Sequence, residues 1–345
     1  MQTEMIRLDP ENPGIEGIEK AAGLIKAGEL VVFPTETVYG LGASALDPGA
    51  VEKIYRAKGR PQDNPLIVHV SSLEMAGECT VQDLGRYSSI LDVLWPGPVT
   101  LIFKKSEAIP ACVTAGLDSV GLRFPSHPVA LRLIEAAGVP IAAPSANISG
   151  RPSPTSEEHV IEDMNGRVGG IILAGDTLFG LESTIVDLSR EKPTLLRPGP
   201  VDAERLGELL PGLEIPDFVR ARDEYRGEAL SPGLKYRHYS PEIPLILIEG
   251  SPGNVVSRAG ILARRDKSVV LCSQELADYY PVHVKKVVLG SRNDLYAVAS
   301  GLFKALRDRD NLNYTQIISE PFPETGIGLA IMNRLRKAAW RIYRV

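Results

Sequence analysis

Four places in the chain combine residue types and spacings that can do chemistry. In Lys58-Gly-Arg60-Pro-Gln-Asp-Asn-Pro65 two cations, two residues apart, leave a helix end at a glycine and enter a proline-fixed loop. Lysine offers a point charge and arginine a planar fork, which together suit several phosphate oxygens. The same pair could instead cap the helix C-terminus and offset its dipole. Pro144-Ser-Ala-Asn147-Ile-Ser-Gly150 follows an apolar run ending at Ala143. Ser145 and Asn147 stand at i and i+2, so an extended backbone points both side chains the same way. That puts a hydroxyl and an amide at a strand's C-terminal end, where open α/β sheets bind ligands, unless the segment is an ordinary Asx-type turn. Arg123 sits inside Val120-Gly-Leu-Arg-Phe124 and needs compensation there, either from a carboxylate ligand or from a fixed Asp or Glu. His69 closes Leu66-Ile-Val-His and reads as a satisfied core histidine or as a ligand contact.

Weaker signals flank these. Gly40-x-Gly42-x-x-Ala45 matches the dinucleotide fingerprint in form, but Pro34 to Tyr39 separate it from the preceding strand, so a glycine-rich turn is expected instead. No GxxxxGK[ST] occurs, which excludes a Walker-type NTPase. His69, His127, His159, His238 and His283 show no metal-ligand spacing, so no metal held by protein side chains is expected. Glu182-Ser-Thr-Ile-Val-Asp187 and Leu196-Arg-Pro-Gly199 add hydroxyls at a strand start and an arginine before a turn. Pro232-Gly-Leu-Lys-Tyr-Arg-His-Tyr-Ser-Pro241 is dense in cations and aromatics, the composition of a lid, a nucleic-acid contact or a sticky loop. Arg334, Arg336, Lys337, Arg341 and Arg344 read as a solvated helix face, with an RNA or partner patch as the other possibility.

These residues need elements to hold them. Runs at 30–33, 66–70, 99–103, 120–124, 141–143, 170–173 and 183–188 read as strands. Helical spacing follows Asp47-Pro48 as far as Lys58, and recurs at 82–94, 128–137 and 202–210. This gives one mixed α/β domain over residues 1–213. Residues 214–244 carry charges and prolines without periodicity and read as a linker. Alternation restarts with strands at 245–248, 268–272, 286–289 and 315–318 and helices at 254–263, 274–280, 294–309 and 327–340. Residues 245–345 therefore form a second, smaller α/β domain with a parallel doubly wound sheet.

Bulk properties agree. The 345 residues allow about two domains at roughly 150 residues each. A 44% hydrophobic and 23% charged composition excludes wholesale disorder, collagen and coiled coil. Thirty-eight Lys and Arg against 43 Asp and Glu leave a net charge of −5, which argues against coating nucleic acid through bulk charge but allows a local basic groove. The apolar runs are far short of the roughly 20 residues a membrane span needs, and the first residues resemble no signal peptide, so a cytoplasmic location is expected. Cys79, Cys112 and Cys272 fit reduced structural thiols.

Taken in order, PTETVYGLGA, KGRPQDNPLIVHV, WPGPVTLIF, GLRFPSHPVA, PIAAPSANISGRPSPT, ESTIVDL, LRPG and PGLKYRHYSP resemble the YrdC/Sua5 family in its two-domain Sua5 form. The motifs are collinear and span residues 30–241, while the last hundred residues join the resemblance by position and α/β rhythm. The resemblance implies a YrdC-like mixed α/β domain with a concave basic site and a Rossmann-like Sua5 C-terminal domain. It implies synthesis of L-threonylcarbamoyladenylate and pyrophosphate from L-threonine, bicarbonate or CO2, and ATP, for N6-threonylcarbamoyladenosine at tRNA position 37. By the same resemblance Lys58, Arg60, Ser145 and Asn147 carry the nucleotide and its phosphates, and Gln62, Thr114, Ser153 and Arg197 extend that side. Thr35, His69, Arg123, Ala143 and Ser183 surround threonine, with Arg123 forking its carboxylate. Tyr236 and His238 close the cavity from the linker, and Mg2+ enters on the ATP phosphates. The implied partners are a downstream tRNA threonylcarbamoyltransferase complex and a weak tRNA contact. The competing function is a double-stranded RNA or tRNA binding module that makes no adenylate.

Overall fold

The computed structural model describes residues 2–222, 231–232 and 239–345. Fifteen strands among them form two sheets. The first sheet comprises β1 (Glu4–Arg7), β2 (Val31–Phe33), β3 (Gly40–Ser44), β4 (Ile67–His69), β5 (Val99–Lys104), β6 (Ser119–Arg123), β7 (Ile141–Ala142), β8 (Gly170–Leu173), β9 (Thr184–Asp187) and β10 (Thr194–Arg197). Its spatial order is β1-β8-β2-β3-β7-β4-β6-β5-β9-β10, and its pairings are both parallel and antiparallel.

Alternate residues of these strands feed two apolar layers. Leu30, Val32, Leu41, Ala43 and Val68 face one layer, while Val31, Phe33, Ile141 and Ile172 face the other. Both faces are therefore covered, which explains why the strands read as continuous apolar runs. Helix Pro48–Lys58 begins at Asp47, whose carboxylate accepts from the Gly49 and Ala50 amides, and it ends at Gly59. Helix Pro128–Ala137 packs beside Ile15–Lys26, which buries Ile18, Ala21, Ala22 and Ile25 at helical spacing.

The segment expected as a glycine-rich turn is strand β3, paired antiparallel with β2 (Val31 opposite Gly42). Its glycines serve the ring of Phe33: a Cβ on Gly42 would lie 2.8 Å from Phe33 Cε1 and from Ile141 Cγ2. The absence of side chains lets the aromatic ring lie on the strand. The helix expected at 82–94 is a short 3-10 turn, Leu84–Tyr87, followed by helix Ser88–Leu94.

The second sheet comprises β11 (Leu245–Glu249), β12 (Ser268–Ser273), β13 (Lys285–Gly290), β14 (Gln316–Ser319) and β15 (Arg341–Arg344), in the order β13-β12-β14-β11-β15 with every pairing parallel. Helix Pro252–Arg265 covers one face, and helices Leu295–Arg307 and Gly328–Ala338 cover the other. The helix expected at 274–280 is only a 3-10 turn, Ala277–Tyr279.

The two units interlock. Leu329 of the second packs in the core of the first, and Leu181 of the first packs in the core of the second. Asn333 Nδ2 donates to the Val219 carbonyl (2.8 Å), and the Tyr296 hydroxyl donates to that of Pro200 (3.0 Å). The expected solvated face at the C-terminus is therefore corrected for its helical members. Arg334 and Arg336 are buried, Arg336 pairing with Glu249 and Glu324 (2.6 Å each), whereas Arg341 and Arg344 are exposed on β15. None of the described helices is long and apolar enough to cross a membrane.

Candidate active site

The chemistry-bearing residues meet where the central strands end. In the parallel β4–β6 pair His69 stands opposite Arg123, and in the antiparallel β5–β6 pair Arg123 stands opposite Thr100. The Thr100 hydroxyl bonds that of Ser183, just before β9 (2.8 Å). Strand register therefore brings His69 and Arg123, far apart in sequence, side by side, and the Thr100 hydroxyl links Ser183 to them.

The loop joining β2 to β3 closes over them. Thr35 Oγ1 donates to the Val38 carbonyl (2.6 Å) and accepts from the Thr37 and Val38 amides, which fixes a tight turn. The Tyr39 amide bonds the Pro154 carbonyl, and the Ala146 amide bonds that of Tyr39, so this turn is tied to the Ser145–Asn147 segment. The result is a cavity of about 650 Å³, mouth included. Thr35, His69, Arg123, Ala143 and Ser183 line it together with Arg60, Ser145, Asn147, Ser153 and Arg197. Thr37, Tyr39, Arg151, Glu182, Pro232 and Tyr239 also line it and were not singled out individually from the sequence as site residues. Four arginines against one glutamate make the described lining basic although the chain is acidic overall.

Ser145 Oγ donates to Asn147 Oδ1 (2.5 Å), so the two side chains do share a side. Lys58 is buried outside the lining. Its ammonium donates to the carbonyls of Ser145 and Asn147 (the latter 2.6 Å) and to Asn147 Oδ1 (3.3 Å). Burial, and then the neighbouring Arg60 charge, hold its pKa well below the usual lysine value. Arg60 faces the cavity, and its Nη2 also donates to the carbonyls of Asn64 and Pro65 (3.0 and 3.1 Å). Two expected nucleotide residues lie elsewhere. Thr114 is buried and donates to the Leu117 carbonyl (2.9 Å), and Gln62 is exposed in a shallow concavity outside this one. Tyr236 and His238 lie outside the described residues.

The charges inside are matched. Arg123 Nη2 lies 2.8 Å from Glu36 Oε1, both side chains nearly fully buried, so a fixed carboxylate compensates an arginine that also lines the cavity. Burial, and then the Arg123 charge, push the His69 pKa down to about 3, so its imidazole is neutral and its buried Nδ1 makes no hydrogen bond among the described residues. Burial lowers Arg197 to about 10; its Nε and Nη2 donate to the Ser183 carbonyl and hydroxyl (3.0 and 3.1 Å). Among the described residues no three His, Cys, Asp or Glu gather as a metal site.

Comparison with known proteins fits this geometry. Residues 23–199 match the Sua5/YciO/YrdC family model, described as "Telomere recombination", and residues 201–340 match "Threonylcarbamoyl-AMP synthase, C-terminal domain". Threonylcarbamoyl-AMP synthase of Bacillus subtilis is 45% identical over 93% of this chain and 92% of its own length. The synthase of Pyrococcus abyssi is 44% identical over 95% and 96%. A crystal structure described as P. abyssi Sua5 complexed with L-threonine superposes with a TM-score of 0.92 at 42% identity, covering 99% of this chain and all of that one. With both domain models matched and such relatives spanning nearly its whole length, the chain belongs to the Sua5/YrdC family in its two-domain form.

Proposed function

We propose that this chain joins L-threonine, bicarbonate or CO2, and ATP into L-threonylcarbamoyladenylate with release of pyrophosphate. One observation carries the proposal: a single cavity is lined both by Thr35, His69, Arg123, Ala143 and Ser183 and by Arg60, Ser145, Asn147, Ser153 and Arg197. The related P. abyssi protein was crystallised with L-threonine, and full-length relatives carry the synthase name.

Threonine's amine adds to the carbon donor to give a carbamate. A carbamate oxygen then attacks the α-phosphorus as the bond to pyrophosphate breaks. No covalent enzyme intermediate is required, so the residues work by positioning and by charge stabilisation. Arg123 suits the amino-acid carboxylate, with Glu36 holding its guanidinium. Neutral His69 lines the cavity without adding a second positive charge beside Arg123. Arg60 and Arg197 suit phosphate oxygens, and Lys58 acts by shaping the Ser145–Asn147 cradle. Magnesium, where bound, would offset the phosphate charge of ATP and would take its ligands from the nucleotide, since the cavity's own carboxylate, Glu182, is engaged by Ser153 and Arg334.

In this proposal residues 1–213 form the catalytic unit and 245–345 the Sua5 unit, with 214–244 running between them. The product passes to a transferase that places the threonylcarbamoyl group on adenosine N6 at tRNA position 37, in the cytoplasm. Pyrophosphate release measured with threonine, bicarbonate and ATP omitted in turn should require all three. Salt-sensitive binding of double-stranded RNA without threonine-dependent pyrophosphate would instead support the RNA-binding module.

A further inference from the structure

Glu182 is the one carboxylate among the described residues lining the cavity, and it is 5% exposed. A carboxylate so buried must have its charge met locally. Its Oε1 accepts from the Ser153 hydroxyl, and its Oε2 accepts from Nε of Arg334 (2.8 Å). Arg334 comes from the other unit, on helix Gly328–Ala338 of the C-terminal domain, and is fully buried. Its Nη1 donates to the Pro198 carbonyl and to Asn333 Oδ1 (3.0 Å each), and its guanidinium lies 5.5 Å from the ring centroid of Tyr239, another cavity residue. Burial alone would raise the Glu182 pKa, yet the Arg334 and Arg197 charges and the Ser153 and Arg334 hydrogen bonds bring it below the ordinary value. Arg197, whose charge also acts on Glu182, directs three of its donors to Ser183 and to the Pro232 carbonyl rather than to the carboxylate.

We propose that Arg334, carried by the C-terminal domain, is a positioning residue of the synthase. It fixes Glu182, and through Glu182 it fixes the Ser153 hydroxyl, in one wall of a cavity built by the other domain. This rests on the reaction proposed above. The second domain thereby has a defined share in the site: it supplies the buried cation that hydrogen-bonds the carboxylate in that wall.

The test uses the full chain and the variants R334M, R334K, E182Q and E182Q/R334M. It measures kcat and KM for threonine and ATP by pyrophosphate release, with circular dichroism and thermal melting as checks on folding. R334M should lower kcat/KM for threonine at least thirtyfold with its secondary structure kept. R334K, which restores the charge and a donor, should recover at least tenfold over R334M. On the E182Q background, where there is no carboxylate to fix, the same Arg334→Met change should cost less than threefold. R334M within threefold of wild type, or equal losses on both backgrounds, overturns the proposal. If R334M does not fold, E182Q/R334M is compared with E182Q, and a difference above tenfold overturns it. A wild-type chain that releases no pyrophosphate overturns the reaction itself, a result distinct from an active wild type whose variants are merely additive.

Discussion

The Lys58 ammonium is buried and holds two carbonyls and an amide oxygen of the Ser145–Asn147 segment, whereas the Arg60 guanidinium reaches the cavity from a partly exposed position. Removing a buried donor strands its acceptors at about 1 to 3 kcal/mol each. Lys58→Ala should therefore lower the melting temperature and the activity together. Arg60→Ala should reduce kcat/KM about a hundredfold, the usual loss for one charge-stabilising donor, with little change in melting. Equal thermal losses in the two variants would remove this distinction. The histidines make a second case. His69 and His159 are buried and held neutral, with pKa values lowered to about 3 and about 4, in both cases by burial first and then by an arginine charge. In the unfolded chain each titrates near 6.5, so below that pH the unfolded state takes up protons that the folded state refuses. Stability is then complete above pH 6.5 and falls as the pH drops toward 4, by at most about 1.4 kcal/mol per pH unit for each histidine. Urea midpoints at pH 7 and pH 5 should show this fall in the wild type, and a smaller one in His159→Gln; identical slopes would refute it.

At the scale of elements, much of the architecture could be read from the chain because strands buried on both faces leave nearly continuous apolar runs, as at 99–103 and Gly170–Leu173. Three strands of the first sheet and one of the second could not be read this way. β1 alternates Met5 and Ile6 with charges over only four residues, β3 is built on glycines, β10 is a short edge strand, and β15 carries arginines at both ends. In each, tertiary pairing outweighs local propensity. The site was legible in the same uneven way. Arg123 and His69 stand out because a charge and an imidazole inside apolar strands need an explanation, and their register shows that the two anomalies have one cause. Glu36 and Glu182 went unnoticed as site residues because each lies in a polar stretch where a glutamate is unremarkable; only folding buries them against Arg123 and Arg334. Helix Gly328–Ala338 misled for the opposite reason, since a helix bearing Arg334, Arg336 and Lys337 looks solvated until the first domain packs against it.

For the whole molecule, one of the tightest approaches between the two domains is made at a glycine. Gly180 has φ +68°, and a Cβ there would lie 2.6 Å from Ser300 Cα and 2.7 Å from the Ser300 carbonyl oxygen, on helix Leu295–Arg307 of the second domain. Two residues on, Glu182 meets Arg334 across the same interface, and Phe179 packs near Tyr296 with ring centroids 6.2 Å apart. Alanine at 180 must adopt a left-handed conformation, which costs about 1 to 2 kcal/mol, and must also push the helix back, because both contacted atoms are backbone. Gly180→Ala should therefore lower the melting temperature by roughly 4 °C or more. Threonine-dependent pyrophosphate release should weaken with it, since the displaced helix belongs to the domain that supplies Arg334 to Glu182. Gly207→Ala is the control: it lies within helix Ala203–Leu209 with open space around a Cβ, where alanine is favoured over glycine by about 1 kcal/mol. A Gly180→Ala protein that melts and turns over like the Gly207→Ala protein would mean that the two domains do not need this contact to complete the cavity.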